Sequence, residues 1–263
     1  MNKSERRRFI KQASLGLGSL TLTSLISNAE ISNSEQAYTT KQAGKKLHIV
    51  CIGAHPGDPE FGCGGTMAKY SDAGHSVTFI YLTRGEAGDP SKAYAESAAL
   101  RTKEAESACK ILNAKAVFAG QTDGDTVLSR EKNKEMAELI RAENPDFLFT
   151  QWPIDSHPDH QVAGMLALTA WVKSGKQFQL YFYEVNTGSE TMFFVPTDYV
   201  DITLQRDRKK EAMFAHKTQD PINVYNDYFK TLEEFRGLEA NVKAAEAFIH
   251  FKDKTDQARL MGL

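Results

Sequence analysis

Four short apolar runs constrain the fold of this chain more than any other feature: Leu47 to Gly53, Val77 to Leu82, Ala116 to Ala119 and Asp146 to Trp152. Runs of this length, rich in Val, Ile, Leu and Phe, read as strands buried on both faces. Helical patterns separate them: one ends at Ala73 before Gly74, one covers residues 93–113, and one covers 130–143 before Asn144-Pro145. Gln161 to Val172 continues as helix, and Gln179 to Val185 and Tyr199 to Leu204 are further strand candidates. Asp207 to Ala215 and residues 226–250 read mostly as helix. This alternation with short turns predicts an α/β fold, a Rossmann-like three-layer sandwich with a mostly parallel central sheet.

The ends read differently. Residues 1–29 carry Arg6-Arg7-Arg8 ahead of a weakly apolar run from Ala13 to Ile26, then Ser27-Asn28-Ala29. This is the pattern of a twin-arginine export signal. The run is too short, and too rich in Ser, Thr and Gly, to form a stable membrane span. A polar linker is expected over 30–44 and one folded domain over 45–263, which would act outside the cytoplasm, in the periplasm. Residues 1–29 hold five basic side chains and one acid, so their removal takes the net charge from −2 to −6. That balance gives no reason to expect nucleic acid as a partner. Three cysteines (Cys51, Cys63 and Cys109) do not make a disulfide framework. Cys51 and Cys109 fit a core, and Cys63 is either a soft ligand or a small residue that lets a helix pack closely.

Two stretches carry chemistry. Ala54-His55-Pro56-Gly57-Asp58-Pro59-Glu60 follows the first strand, and His157-Pro158-Asp159-His160 follows the fourth. In open α/β sheets, ligands bind beyond the carboxyl ends of the strands. The loops Thr83 to Gly88 and Gln121 to Asp125 end strands on the same rim. Either His/Asp stretch alone reads as a turn with a capping aspartate. Together they suit a divalent metal: His55, Asp58 and one histidine of the second stretch supply two imidazoles and a carboxylate, leaving a position open for water.

These residues resemble the PIG-L/LmbE-like zinc-dependent N-deacetylases, whose signature is Ala-His-Pro-Asp-Asp followed by a Gly-Gly-Thr. Here Gly64-Gly65-Thr66 and an intact His-Pro-Asp-His match, as do Thr83-Arg84-Gly85-Glu86, Arg101 with Glu104, Asp123-Gly124 and Ala215 to Gln219. The resemblance implies Zn2+ held by His55, Asp58 and His160. It implies His157 as the group that steadies an oxyanion or protonates the leaving amine, with Asp159 as its charge partner. Arg101, Asp123 and His216 would line a sugar pocket, although Arg101 also reads as a surface ion pair with Glu104. The implied substrate is a small molecule or oligosaccharide bearing an N-acetyl amino sugar of the N-acetylglucosamine type, and the implied reaction is hydrolysis of its amide.

One position departs from the family. Its general base is the first aspartate of the signature, and this chain has Gly57 there. The reading from sequence is therefore a deacetylase with altered or weakened base chemistry. Glu60, Glu86, Asp123 and Asp125 are the carboxylates in these loops able to substitute. The alternative is a catalytically inactive, zinc-containing carbohydrate-binding protein of the same fold. A nucleotide site at Gly62 to Gly65 is a weaker reading, since the spacing departs from the dinucleotide fingerprint.

Overall fold

A computed structural model describes residues 45–252. The export signal and linker expected over 1–44 lie outside the described residues.

The first strand, β1 (His48–Gly53), leads into α1 (Asp58–Asp72), β2 (Ser76–Tyr81), α2 (Tyr94–Leu112) and β3 (Lys115–Phe118). Then come α3 (Arg130–Glu143), β4 (Phe147–Gln151), α4 (Pro158–Lys173), β5 (Gln179–Tyr183), β6 (Asp198–Asp201) and α5 (Arg206–Phe214). A short 3-10 turn precedes α6 (Pro221–Val224), a π-helical turn at Tyr225–Phe229, α7 (Lys230–Ala240) and β7 (Ala245–Phe251). The seven strands form one sheet in the order β3-β2-β1-β4-β5-β7-β6; β7 runs antiparallel to β5 and β6, and every other pairing is parallel.

The strands were legible because both faces of the sheet are covered. Alternate residues of β1 point to opposite sides. Ile49 and Cys51 pack with Met67, Ala108, Leu112 and Met213 from α1, α2 and α5. Val50 and Ile52 pack with Ile140, Leu166 and Ala167 from α3 and α4. Each such side chain, buried in full, contributes about 1.5–3 kcal/mol. Three layers result, as expected.

Local chemistry sets the helix ends. Ser129 caps α3 by accepting from the Lys132 amide at 3.1 Å, and Asn144 closes it in the left-handed region. The Gly-Cys-Gly-Gly run is no phosphate loop but the inside of α1, where Cys63 leaves helical geometry (φ −145°, ψ 19°). A Cβ at Gly65 would stand 2.8 Å from Ile202 Cβ, so glycine is what lets α1 approach the segment after β6. Cys63 is a core residue, with its Sγ against Cys51 and the Pro59 carbonyl.

One element corrects the sequence reading. Residues 245–251 are strand β7, not the end of a helix. Asn241 turns into the left-handed region and stops α7 (φ 58°), and the following chain then pairs with both β5 and β6.

Candidate metal centre and sugar pocket

Strand order brings the two motifs together. The helix after β1 leads to β2 on one side, while β4 lies on the other, so the loops after β1 and β4 diverge at the point where the order reverses. Ligand sites of such sheets form there. The register pairs Ile49 with Phe147 and Ile52 with Thr150, so the strands end level. Gln151, the last residue of β4, locks the loops: its Oε1 accepts from the Ala54 amide (2.8 Å) and its Nε2 donates to Asp58 Oδ2 (3.1 Å).

Three ligand-type atoms converge. His55 Nδ1 lies 3.2 Å from Asp58 Oδ2, and His160 Nε2 lies 3.5 Å from the same oxygen. His55, Asp58 and His160 form a group whose donor atoms all lie within 4.8 Å of one another. The far nitrogen of each imidazole is held by a carboxylate: His55 Nε2 by Asp159 Oδ2 at 3.0 Å, His160 Nδ1 by Asp155 Oδ1 at 3.2 Å. Carboxylates behind histidine ligands orient the rings and raise their basicity, so this donor set fits a divalent metal such as zinc.

The supporting residues are themselves tied down. Asp155 accepts from the His157 amide and the Thr191 hydroxyl (2.8 and 2.9 Å). Asp159 accepts from the Thr126 hydroxyl and the Gly124 amide (2.6 and 2.8 Å). Its carboxylate bonds to His55, and its charge also favours the imidazolium form of His157. His157 caps α4, its Nδ1 accepting from the Asp159 amide at 3.2 Å, which leaves Nε2 to carry the proton.

Electrostatics follow from this crowding. Burial alone would lower the pKa of His55, but Asp58, Asp123 and Asp159 raise it well above the ordinary imidazole value. His160 is raised too, by Asp58 and Asp155 against burial. His157 goes the other way: burial and the charges of His55 and His160 lower it, so its imidazole is neutral at neutral pH. Asp58 and Asp159, although buried, are held well below the usual carboxylate range by the histidines around them.

A cavity of about 420 Å³ opens over this cluster. Arg101 and Asp123 line it together with Gly57, His157 and Glu190. Arg101 is buried, donating to the carbonyls of Pro56 (2.9 Å) and Gly85 (3.4 Å), with Asp123 Oδ2 at 3.8 Å. The surface pair with Glu104 does not form, because Glu104 accepts from the Thr218 amide and hydroxyl instead. His216 is not a pocket wall. Its ring is fully buried beneath Gly57, with Nε2 3.1 Å from Glu60 Oε1, so it packs the floor and is out of reach of a sugar.

Of the carboxylates weighed for the vacant base position, three face elsewhere. Glu60 is fully buried and accepts from the Tyr81 hydroxyl (2.7 Å). Glu86 accepts from the Arg84 and Asp123 amides (3.1 Å each), and Asp125 is exposed and outside the cavity. Asp123 lines the cavity, yet its oxygens are engaged by His55 Nε2 (3.0 Å) and the Ala87 amide (3.1 Å). Glu190 was missed. It lines the cavity, its carboxylate held by Asn186 Nδ2 (3.1 Å), and burial with the nearby Asp58 raises its pKa against the opposing pull of His160. It sits in an irregular loop, and no spacing or periodicity marks it.

The GlcNAc-PI de-N-acetylase (PIG-L) family model matches residues 50–171. A diacetylchitobiose deacetylase of Thermococcus kodakarensis is 30% identical over 216 residues, covering 75% of this chain and 80% of the relative. The chain belongs to the PIG-L family. Among solved structures, N,N'-diacetylchitobiose deacetylase from Pyrococcus horikoshii superposes with a TM-score of 0.71 at 25% identity, covering 88% of this chain and 95% of that one. GalB, a 4-carboxy-2-hydroxymuconate hydratase from Pseudomonas putida KT2440, reaches the same TM-score of 0.71 at 20% identity, covering 81% of this chain and all of that one. The likeness to a hydratase shows the fold alone, so activity must be argued from the site. Among the described residues, no helix is long and apolar enough to cross a membrane.

Proposed function

We propose that this PIG-L family member is a zinc-dependent N-deacetylase that hydrolyses the acetamide of an N-acetylglucosamine-type sugar or glycoconjugate. The observation that carries it is the convergence of His55 Nδ1, Asp58 Oδ2 and His160 Nε2 beneath a cavity that Arg101 and Asp123 also line. Zinc, when bound there, supplies Lewis acidity toward the amide carbonyl and toward water.

The chain's own groups do the rest. Neutral His157, with its proton on Nε2, offers a hydrogen bond to the negative charge that develops on the carbonyl oxygen. Arg101 and Asp123 present a donor and an acceptor to sugar hydroxyls. Gly57 can neither take nor give a proton. Glu190, a carboxylate lining the cavity whose pKa burial raises above the ordinary value, takes the role of acid and base between water and the departing amine.

The test is acetate release from N-acetylglucosamine compounds by the zinc-loaded chain and by Glu190→Gln. Loss of the positioned carboxylate is expected to lower kcat by ~10²–10⁴ with little change in KM. An unchanged kcat would remove Glu190 from the mechanism. Gly57 also favours a second reading, a sugar-binding protein that has lost turnover. Saturable binding with no acetate released from any substrate would select it. In either case residues 1–29 are proposed to direct export, which cell fractionation of the full chain against Arg6→Lys/Arg7→Lys/Arg8→Lys would check.

A further inference from the structure

A second cavity, of about 260 Å³, adjoins the first, and Asn186 lines both. Its wall is a stripe along the helical segment formed by α6, the π-helical turn and α7: Tyr228, Thr231, Leu232 and Phe235. These stand at the i, i+3, i+4 and i+7 spacing that normally marks a face turned into a core. Here the face is open, with Tyr228 46% and Phe235 51% exposed. Val224, one turn before Tyr228 on the same segment, lines the metal-site cavity. The stripe therefore begins at the reaction site and runs outward for about 16 Å, eleven residues at helical rise.

The polar groups beside the rings are uncommitted. Among the described residues no hydrogen bond is made by the side chains of Asp227 or Thr231, which border the same cavity. Two flat apolar surfaces flanked by a free carboxylate and a free hydroxyl match an amphipathic ring. A pyranose has apolar C–H faces that lie on aromatic rings and equatorial hydroxyls that bond to carboxylate and hydroxyl neighbours.

We propose that Tyr228 and Phe235 form a subsite for a further sugar ring, so that the substrate is an oligosaccharide and not a free monosaccharide. This rests on the deacetylase reading of the neighbouring site. Binding energy gained at such a remote ring is available to orient the scissile amide.

The experiment compares acetate release by the zinc-loaded full chain from N-acetylglucosamine and triacetylchitotriose, alongside calorimetric binding of the trisaccharide to metal-free protein. The unmodified chain is expected to favour the trisaccharide in kcat/KM. Phe235→Ala and Tyr228→Ala are each expected to cut that preference, and the trisaccharide affinity, by about three- to ten-fold, the range typical of a lost aromatic contact. Thr231→Arg, which fills the groove, should do the same. Leu238→Ala, on the exposed side of α7 and outside the cavity, is the control and should leave both values alone. Equal kcat/KM for both sugars, or variants that bind the trisaccharide like the unmodified chain, would overturn the subsite and leave the deacetylase reading standing. Preference for an N-acetylglucosamine bearing an alkyl group over the trisaccharide would overturn the sugar assignment. If no substrate releases acetate while binding remains sensitive to Phe235, the subsite holds and the reaction reading falls.

Discussion

Gly57 is the residue on which the chemistry turns, and the structure adds a backbone reason for it. It caps α1 with φ 111° and ψ −39°, a region that side-chain-bearing residues rarely adopt. Space is not the obstacle, since the nearest atoms a Cβ would meet, on His216 and Phe61, stand 3.8 Å away. The cost of a side chain is therefore backbone strain, on the order of 1–2 kcal/mol. Gly57→Ala and Gly57→Asp should both lower Tm by a similar few degrees for a domain of this size. Matching losses would identify strain as the cause. Unchanged Tm in both would mean that the loop relaxes freely, and the aspartate could then regain the base position without penalty.

The elements around the site are held by a buried ionic network that spans four of them. Lys209 of α5 lies 3.0 Å from Glu233 of α7 and 2.8 Å from Glu246 of β7. Glu246 also accepts from the Gly65 and Thr66 amides (2.9 and 2.7 Å), which the break at Cys63 frees inside α1. Its carboxylate thus caps the second half of α1 and neutralises a lysine with no route to water. Burial would lower the pKa of Lys209, but the two glutamates raise it instead, so it stays charged. Removing one partner leaves an uncompensated charge, and Glu246→Ala is expected to cost about 3–5 kcal/mol in urea unfolding. A loss below about 1 kcal/mol would show that water replaces the carboxylate.

At the same scale, the sequence was readable where burial was two-sided and opaque where pairing was remote. β1, β2, β4 and β5 announce themselves by short runs dominated by apolar residues. Ala245 to Phe251 reads as a continuation of helix because no Gly or Pro separates it from α7, and only Asn241 signals the turn. The ligand types at 55, 58 and 160 were legible from two local motifs. That they meet depends on β1 lying beside β4, which no local pattern encodes. Asp155 behind His160, Asp159 turned toward His55, and Glu190 in the cavity all depend on that same adjacency.

For the molecule as a whole, metal binding and proton binding compete at one place. His55 and His160 have raised pKa values in the metal-free protein. Their contribution to folded stability is thus fully present below the unfolded imidazole value of about 6.5 and is lost as pH rises through the raised values. The carboxylates Asp58 and Asp159, held low, contribute above about pH 4 and lose that contribution only in acid. Metal-free protein should accordingly be most stable between about pH 4 and 6.5 and weaken toward alkaline pH. Zinc requires both imidazoles unprotonated, so each ion bound near neutrality should release up to two protons. The gain in Tm on adding zinc should therefore grow from pH 5.5 to pH 8.5, since tighter binding stabilises the native state further. Thermal scans with and without zinc at those pH values, with calorimetry in buffers of different ionisation enthalpy, measure both quantities. A gain that does not vary with pH, or binding without proton release, would mean that the ion is held by other groups, because these two histidines cannot take up zinc without giving up their protons.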